Sequence, residues 1–251
     1  MSPAPISSQK AQHPVRRVIT NRRGGVSAAP YASFNLAHHV GDDPAAVTAN
    51  RVRLAASLEL EPQQIIWMEQ LHTNNVSIVN AEYVAQNPDT PVAQTDALIT
   101  TTPGLALGVL VADCVPVLLA DETAGVIAAV HAGRMGARNG IVRKTVNKMV
   151  ELGACPADIS VLLGPAAGGE SYEVPQAMAA DVEKHLPGSM VKTSTGKTGL
   201  DLRQGILAQL LSLGVSSFAA DPRDTISDKD FFSYRREGKT GRQAGIIWMN
   251  S

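Results

Sequence analysis

The chain has 251 residues, of which 44% are apolar and 18% charged, and its formal net charge is -1. That length supports a sizeable buried core, and the apolar content is high enough to offset chain entropy, which excludes extended disorder away from the ends. No block of Lys and Arg stands alone and no run of about 18 apolar residues occurs, which argues against a nucleic-acid or membrane partner and points to a small-molecule substrate.

Met1 to Pro14 is rich in Ser, Pro, Gln and Ala without the apolar stretch of a signal peptide. It is expected to be a flexible tail ahead of one domain spanning 15–251. Val15 to Thr20 predicts a strand that runs into Asn21-Arg22-Arg23-Gly24-Gly25, a loop with two guanidinium groups. In Gly41-Asp42-Asp43-Pro44, Asp43 is placed to cap a helix that begins at Pro44, carries Val47, Leu54 and Leu58 on one face, and projects Arg51 and Arg53. Short β-rich runs follow: Ile65 to Trp67, Val76 to Val79, Ala97 to Thr100, Leu105 to Ala112, Val115 to Ala120 and Val126 to Val130. Ile141 to Leu152 has the spacing of an amphipathic helix ended by Gly153. Ile159 to Leu163 predicts a strand, a helix is expected from near Pro175, and Asp201 caps a helix through Leu213. Phe231 to Tyr234 and Ala244 to Met249 read as two strands joined by a Gly-containing turn. No repeat or linker divides the chain, so the expected class is α+β: a single domain of mixed β-sheets flanked by helices.

Two cysteines, Cys114 and Cys155, cannot build a disulfide framework, and the reading is of a cytoplasmic protein with reduced thiols. His72, Cys114 and His131 each follow a predicted strand. Two imidazoles and a thiolate suit Zn²⁺ with a fourth, open position, and copper is the alternative metal. Taken singly, a Cys in an apolar region is more often an inert core residue. His131, however, puts a polar side chain where the apolar run Val126 to Val130 meets the small Ala132-Gly133 turn. The spacing of the three does not itself define a metal motif.

The order of several blocks is more specific. Thr20-Asn21-Arg22-Arg23-Gly24-Gly25-Val26-Ser27, Asn35-Leu36, Gly41-Asp42-Asp43-Pro44 and Asn50-Arg51 resemble the opening of the YfiH-type laccase-domain family. Gln70-Leu71-His72, Thr95-Asp96-Ala97, Ala112-Asp113-Cys114-Val115-Pro116, His131-Ala132-Gly133, Gly164-Pro165, Tyr172-Glu173-Val174, Ser233-Tyr234-Arg235-Arg236 and Thr240-Gly241-Arg242 follow in the same order. The resemblance implies a CNF/YfiH-like fold and a catalytic zinc site of His72, Cys114 and His131. It also implies phosphorolysis of purine nucleosides to base and ribose 1-phosphate, with adenosine deamination alongside. Arg51, Arg22 and Arg134 are then the candidates for phosphate and substrate, and Asp96 and Asp113 for a general base or a group that orients a ligand histidine. Departures from the family pattern bear on substrate preference. Thr73 stands where the family has Gly, and His131-Ala132-Gly133-Arg134-Met135-Gly136 stands where it has His-Ala-Gly-Trp-Arg-Gly, while Ala166 replaces a Cys. The competing readings are a copper-dependent polyphenol oxidase, a cysteine hydrolase that edits a peptidoglycan precursor with Cys114 as nucleophile, and a non-catalytic nucleoside-binding protein. The sequence leaves open whether the chain pairs as a homodimer.

Overall fold

Strand residues alternate between two faces, and in the central strands Ala97–Thr100, Ala106–Val111, Val115–Asp121, Val126–Ala132 and Gln243–Met249 both faces are buried, so each large sheet has to be covered on both sides. The computed structural model describes residues 14–250; the expected tail, except for Pro14, lies outside them. Strands β1 (Val15–Ile19), β2 (Ile65–Ile66), β5 (Ala106–Val111) and β12 (Gln243–Met249) form one mixed sheet in the order β1-β12-β5-β2. Strands β3 (Val76–Ile78), β4 (Ala97–Thr100), β6 (Val115–Asp121), β7 (Val126–Ala132), β8 (Ser160–Leu163) and β11 (Ser217–Ala220) form a second, in the order β11-β8-β6-β7-β4-β3. A small hairpin of β9 (Met190–Lys192) and β10 (Thr198–Leu200) completes the β-structure of the described residues.

The two large sheets bury a common core. Leu107, Val109 and Val111 of β5 and Ile247 and Met249 of β12 meet Leu118, Ala120, Ile127 and Ala129 of β6 and β7. The alternate residues of β6 and β7, among them Val117, Leu119, Ala128 and Val130, face helices α4 (Ile141–Glu151) and α6 (Leu202–Ser212) through Ile141, Met149, Ile206 and Leu210. On the far side of the other sheet, Ala106, Leu110, Ile246 and Trp248 cover α1 (Pro44–Ser57) through Leu54 and Ala55. The layers therefore run helix, sheet, sheet, helices, a mixed architecture in one unit. Among the described residues no helix is long and apolar enough to cross a membrane.

The expected helix starts are built from the expected caps. Asp43 accepts the Ala45 N–H at 2.9 Å and Asp201 accepts the Gln204 N–H at 3.1 Å. Three expectations need correction. Phe231 to Tyr234 is not a strand: Ser233 caps a short helix, α7 (Tyr234–Glu237), by accepting the Arg236 N–H. The Gln243 side chain takes both the N–H and the carbonyl of Phe232, which occupies the groups a β-ladder would need. The strand expected to end at Val130 continues to Ala132, so His131 lies within β7 and not beyond it. The expected strand at Ile65 to Trp67 is confined to Ile65 and Ile66. Helices α2 (Ala81–Gln86), α3 (Arg134–Arg138) and the β9–β10 hairpin carry no periodicity long enough to read from sequence, whereas α5 (Gln176–His185) lies where a helix was expected.

Gly108 shows how tightly β5 is covered. A Cβ there would stand 2.8 Å from the Trp67 ring, so the indole lies directly on the strand backbone. Gly108→Ala is expected to cost about 1–3 kcal/mol through overpacking, read as a lower urea midpoint with an unchanged slope.

Candidate active site

The three predicted ligands converge. The donor atoms of His72, Cys114 and His131 all lie within 4.8 Å of one another. Cys114 Sγ is 3.7 Å from His72 Nε2, and the two imidazole rings meet edge to face at 4.7 Å between centroids. His131 extends from β7 on the same face as Ile127 and Ala129, toward the space between the two sheets, by the alternation of the strand. Cys114 lies in the tight connection from β5 to β6 and packs against that same intersheet core. The site thus opens at one end of the layer between the sheets.

Asp96, fully buried at the start of β4, joins the ligand segments. Its carboxylate accepts the backbone N–H of Leu71, His72 and Thr73 at 3.2, 3.0 and 2.7 Å and the Thr73 hydroxyl at 2.7 Å. It also pairs with His131 Nδ1 at 2.8 Å, while the His131 N–H donates to the Asp96 carbonyl. Nδ1 is thereby engaged, which leaves Nε2 for the cluster. Burial alone would raise the Asp96 pKa, but the hydrogen bonds from His131 and Thr73 hold it at about 2. Of the two carboxylates considered from sequence, this one holds the candidate ligand histidines in place. Asp113 does something else: it accepts the Thr225 hydroxyl and the Arg235 N–H, both at 2.7 Å, and so pins the turn that carries Cys114.

Both turns hold a non-glycine residue in the left-handed region, His72 at φ 60° and Asp113 at φ 89°. Such residues cost about 1–3 kcal/mol each and persist where surrounding bonds over-determine them. Asp96 and Thr225 provide those bonds. Gly133 supplies clearance: a Cβ there would come within 2.8 Å of His72 Cδ2 and 3.0 Å of Cys114 Sγ. Burial pushes the Cys114 thiol up, yet the adjoining His131 and His72 outweigh it and hold the pKa below the ordinary thiol value. The same partnership raises His131, against the effect of its own burial.

The cluster lines a cavity of about 700 Å³ whose walls also include His39, Tyr172, Arg134, Arg235 and Arg242. Among the described residues none of these three arginines forms an ion pair. Arg235 lies over the Tyr172 ring at 5.0 Å, and Arg242 donates to the carbonyls of Thr240 and Gly241. Helix α3, which carries Arg134, is tied to α5 by two 2.8 Å hydrogen bonds from Arg138 to Asp181. The other two arginines named from sequence are not brought here. Arg22 is bonded to Glu237 at 2.6 Å and to the Ala32 carbonyl, and it stacks on Phe232. Arg51 lines a neighbouring cavity, with its Nε bound to the Leu36 carbonyl and its guanidinium over Trp67. It is half-buried and not the solvated residue that an arginine on a capped helix usually is. Cys155 is remote, with its N–H on Asp121.

Sequence reasoning did not single out His39, Arg235 or Arg242 as site residues, although the last two stand in blocks that carry the resemblance. An arginine near a chain end has no periodic or spacing signal, and only the return of β12 into the central sheet brings Arg242 to the cavity. Asp96→Ala, which strands five donors, is expected to cost about 3–5 kcal/mol in urea unfolding, and Asp96→Asn less, because an acceptor oxygen remains.

Comparison with known proteins agrees with this architecture. Residues 16–250 match the family described as multi-copper polyphenol oxidoreductase laccase. A purine nucleoside phosphorylase of Corynebacterium glutamicum is 62% identical over 236 residues, covering 94% of this chain and 95% of the relative. A purine nucleoside phosphorylase of Mycobacterium tuberculosis is 54% identical over 235 residues, covering 94% and 92%. Among solved structures, YlmD from Geobacillus stearothermophilus superposes with a TM-score of 0.89 at 32% identity, covering 98% of this chain and 94% of that one. The hypothetical protein YfiH of Bacillus licheniformis gives 0.87 at 29% identity, covering 94% and 93%. The chain belongs to the multi-copper polyphenol oxidoreductase laccase family, the group that includes these YfiH-type proteins.

Proposed function

We propose that this chain is a zinc-dependent purine nucleoside phosphorylase that also deaminates adenosine. The observation that carries the reading is the pairing, in one cavity, of a convergent His72, Cys114, His131 donor set with three arginines that have no acidic partner among the described residues. The names of the 62% and 54% identical relatives support the substrate class. The donor set fits zinc. Bonds of about 2.0–2.1 Å to nitrogen and about 2.3 Å to sulfur in a tetrahedron separate the two donors by about 3.6 Å, close to the 3.7 Å between His72 Nε2 and Cys114 Sγ. His72, Cys114 and His131 would hold the ion and the cavity side would stay open. Bound there, zinc supplies Lewis acidity, which phosphorolysis and hydrolytic deamination would share.

In phosphorolysis the bond from ribose C1′ to the purine nitrogen breaks, C1′ bonds an oxygen of hydrogen phosphate, and the proton that the phosphate gives up goes to the departing base. A dianionic co-substrate needs cationic donors. Arg134, Arg235 and Arg242 provide them without first breaking an ion pair, so they replace Arg51 and Arg22 as the phosphate contacts. Tyr172 presents an aromatic face and a hydroxyl that burial keeps protonated, suited to hydrogen-bond the base. Asp96 holds His131 and the His72 turn in position throughout.

The family description raises copper oxidase chemistry. Among the described residues one group of three ligands is present, which suits one ion and falls short of a multi-copper cluster. The test is to incubate the purified protein with adenosine or inosine, with and without phosphate, and to measure ribose 1-phosphate, inosine and zinc per chain. Cys114→Ala should lose zinc and both activities together. Retained zinc with lost activity would make Cys114 a nucleophile and overturn the metal reading. Arg134→Ala should keep its zinc, raise the KM for phosphate about tenfold or more, and spare deamination in part.

A further inference from the structure

The cavity that Arg51 lines is larger than the one holding the cluster, about 950 Å³, and the proposed reaction does not use it. The two share a wall made by His39, Gln70 and Leu110. That wall is rigid: the Gln70 amide donates to the Leu110 carbonyl at 2.7 Å and accepts the Leu110 N–H at 2.9 Å, as a further strand residue would. Behind it, Trp67, Tyr83, Val84, Pro88, Pro91 and Leu110 present apolar and aromatic surface. Trp67 lies flat on the β5 backbone over Gly108, and the Arg51 guanidinium lies over its ring at 4.3 Å. Arg51 is therefore fixed by stacking and by the 2.9 Å bond from Nε to Leu36, while Nη1 and Nη2 have no hydrogen-bond partner among the described residues. Burial lowers its pKa to about 10, which leaves it cationic at neutral pH.

The acidic groups of this wall do not answer that charge. Glu69 accepts the Gln94 N–H at 3.0 Å, Asp89 lies on the exposed rim, and neither pairs with Arg51. The two histidines that line this cavity, His38 and His39, both have pKa values pushed down, by burial and then by neighbouring cations. A fixed cation at the edge of an aromatic-lined cavity calls for a ligand with the complementary pattern.

We propose that this second cavity is a separate ligand site that takes an organic anion with a flat apolar body, the body lying against Tyr83, Val84 and Pro88 and the acidic group meeting Arg51. The acidic group is a carboxylate, sulfonate or phosphate monoester, which share the chemistry that a guanidinium edge recognises. The proposal does not depend on the phosphorylase reading. It is tested by fluorescence titration of the full chain with anilinonaphthalene sulfonate and, in parallel, with phenylnaphthylamine, the same body without the anion. The wild-type chain should bind the sulfonate saturably at one site, and saturating inosine with phosphate should not displace it. Arg51→Gln should weaken the sulfonate at least about tenfold and leave phenylnaphthylamine unchanged. Val52→Trp, on an exposed position of α1 that lines the cavity, should weaken both probes, and Cys114→Ala neither. Arg51→Lys, which keeps the charge, should retain most of the sulfonate binding and guards against a folding defect in Arg51→Gln. Displacement by nucleoside, equal loss of both probes in Arg51→Gln, or no effect of Val52→Trp would each overturn the assignment.

Discussion

A buried carboxylate organises this site. Asp96 stands fully inside the protein and receives three consecutive backbone N–H groups, one hydroxyl and one imidazole. An ion taken out of water costs several kcal/mol unless its lone pairs are met, and here they are met by the segments that have to be brought together. The sheet sets the spacing. β4 pairs with β7 so that Ala97 lies opposite Val130, which fixes Asp96 beside His131, and the 71–73 turn then closes onto the same carboxylate. His72 tolerates its left-handed backbone because three N–H groups in a row are already satisfied. Cys114 arrives from the opposite direction, on a turn pinned by Asp113, and Gly133 leaves the room in which the three donor atoms meet. The meeting of the three side chains is thus a consequence of strand register and of the two turns held by Asp96 and Asp113.

The electrostatics of the surrounding cavity follow from what is left unpaired. Most surface arginines of this chain have carboxylate or carbonyl partners, as Arg22, Arg138 and Arg223 do. Arg134, Arg235 and Arg242 face the cavity without an acidic partner, and Arg51 does so in the next one. Cations without an acidic partner favour an incoming anion, because no ion pair has to be broken at binding. The wall of His39, Gln70 and Leu110 keeps the two sets apart, which gives one chain two cavities of different character. One is polar around a cluster of metal-ligand type, and the other is aromatic around a single guanidinium.

Much of this was legible in the sequence, and what was not has physical reasons. The capped helices at Asp43 and Asp201, the amphipathic α4 and the apolar runs that became β4 to β7 are local patterns, and local patterns were enough to place them. The three donors were recognisable by residue type, and their ordered blocks carried the family resemblance, but nothing in their spacing encodes a separation under 5 Å. Cross-strand register does that, and register is not visible in one strand. The Phe231 to Tyr234 segment was misread because its aromatic run mimics a strand, while the side chain of Gln243 supplies the hydrogen bonds a neighbouring strand would have given. Among the three candidate guanidinium groups, sequence favours Arg51, because Asn50-Arg51 stands in a block that carries the resemblance, over Arg22 and Arg134. Only tertiary partners, Glu237 for Arg22 and Trp67 for Arg51, separate these two from the cavity of the cluster.

The proposed zinc site takes one ion on His72, Cys114 and His131 together. X-ray absorption at the zinc edge, on protein purified without added metal, tests it most directly. One zinc per chain is expected, with one sulfur scatterer at about 2.3 Å and nitrogen or oxygen scatterers at about 2.0–2.1 Å that include two imidazoles. A zinc shell with no sulfur, or with more than one, would contradict it.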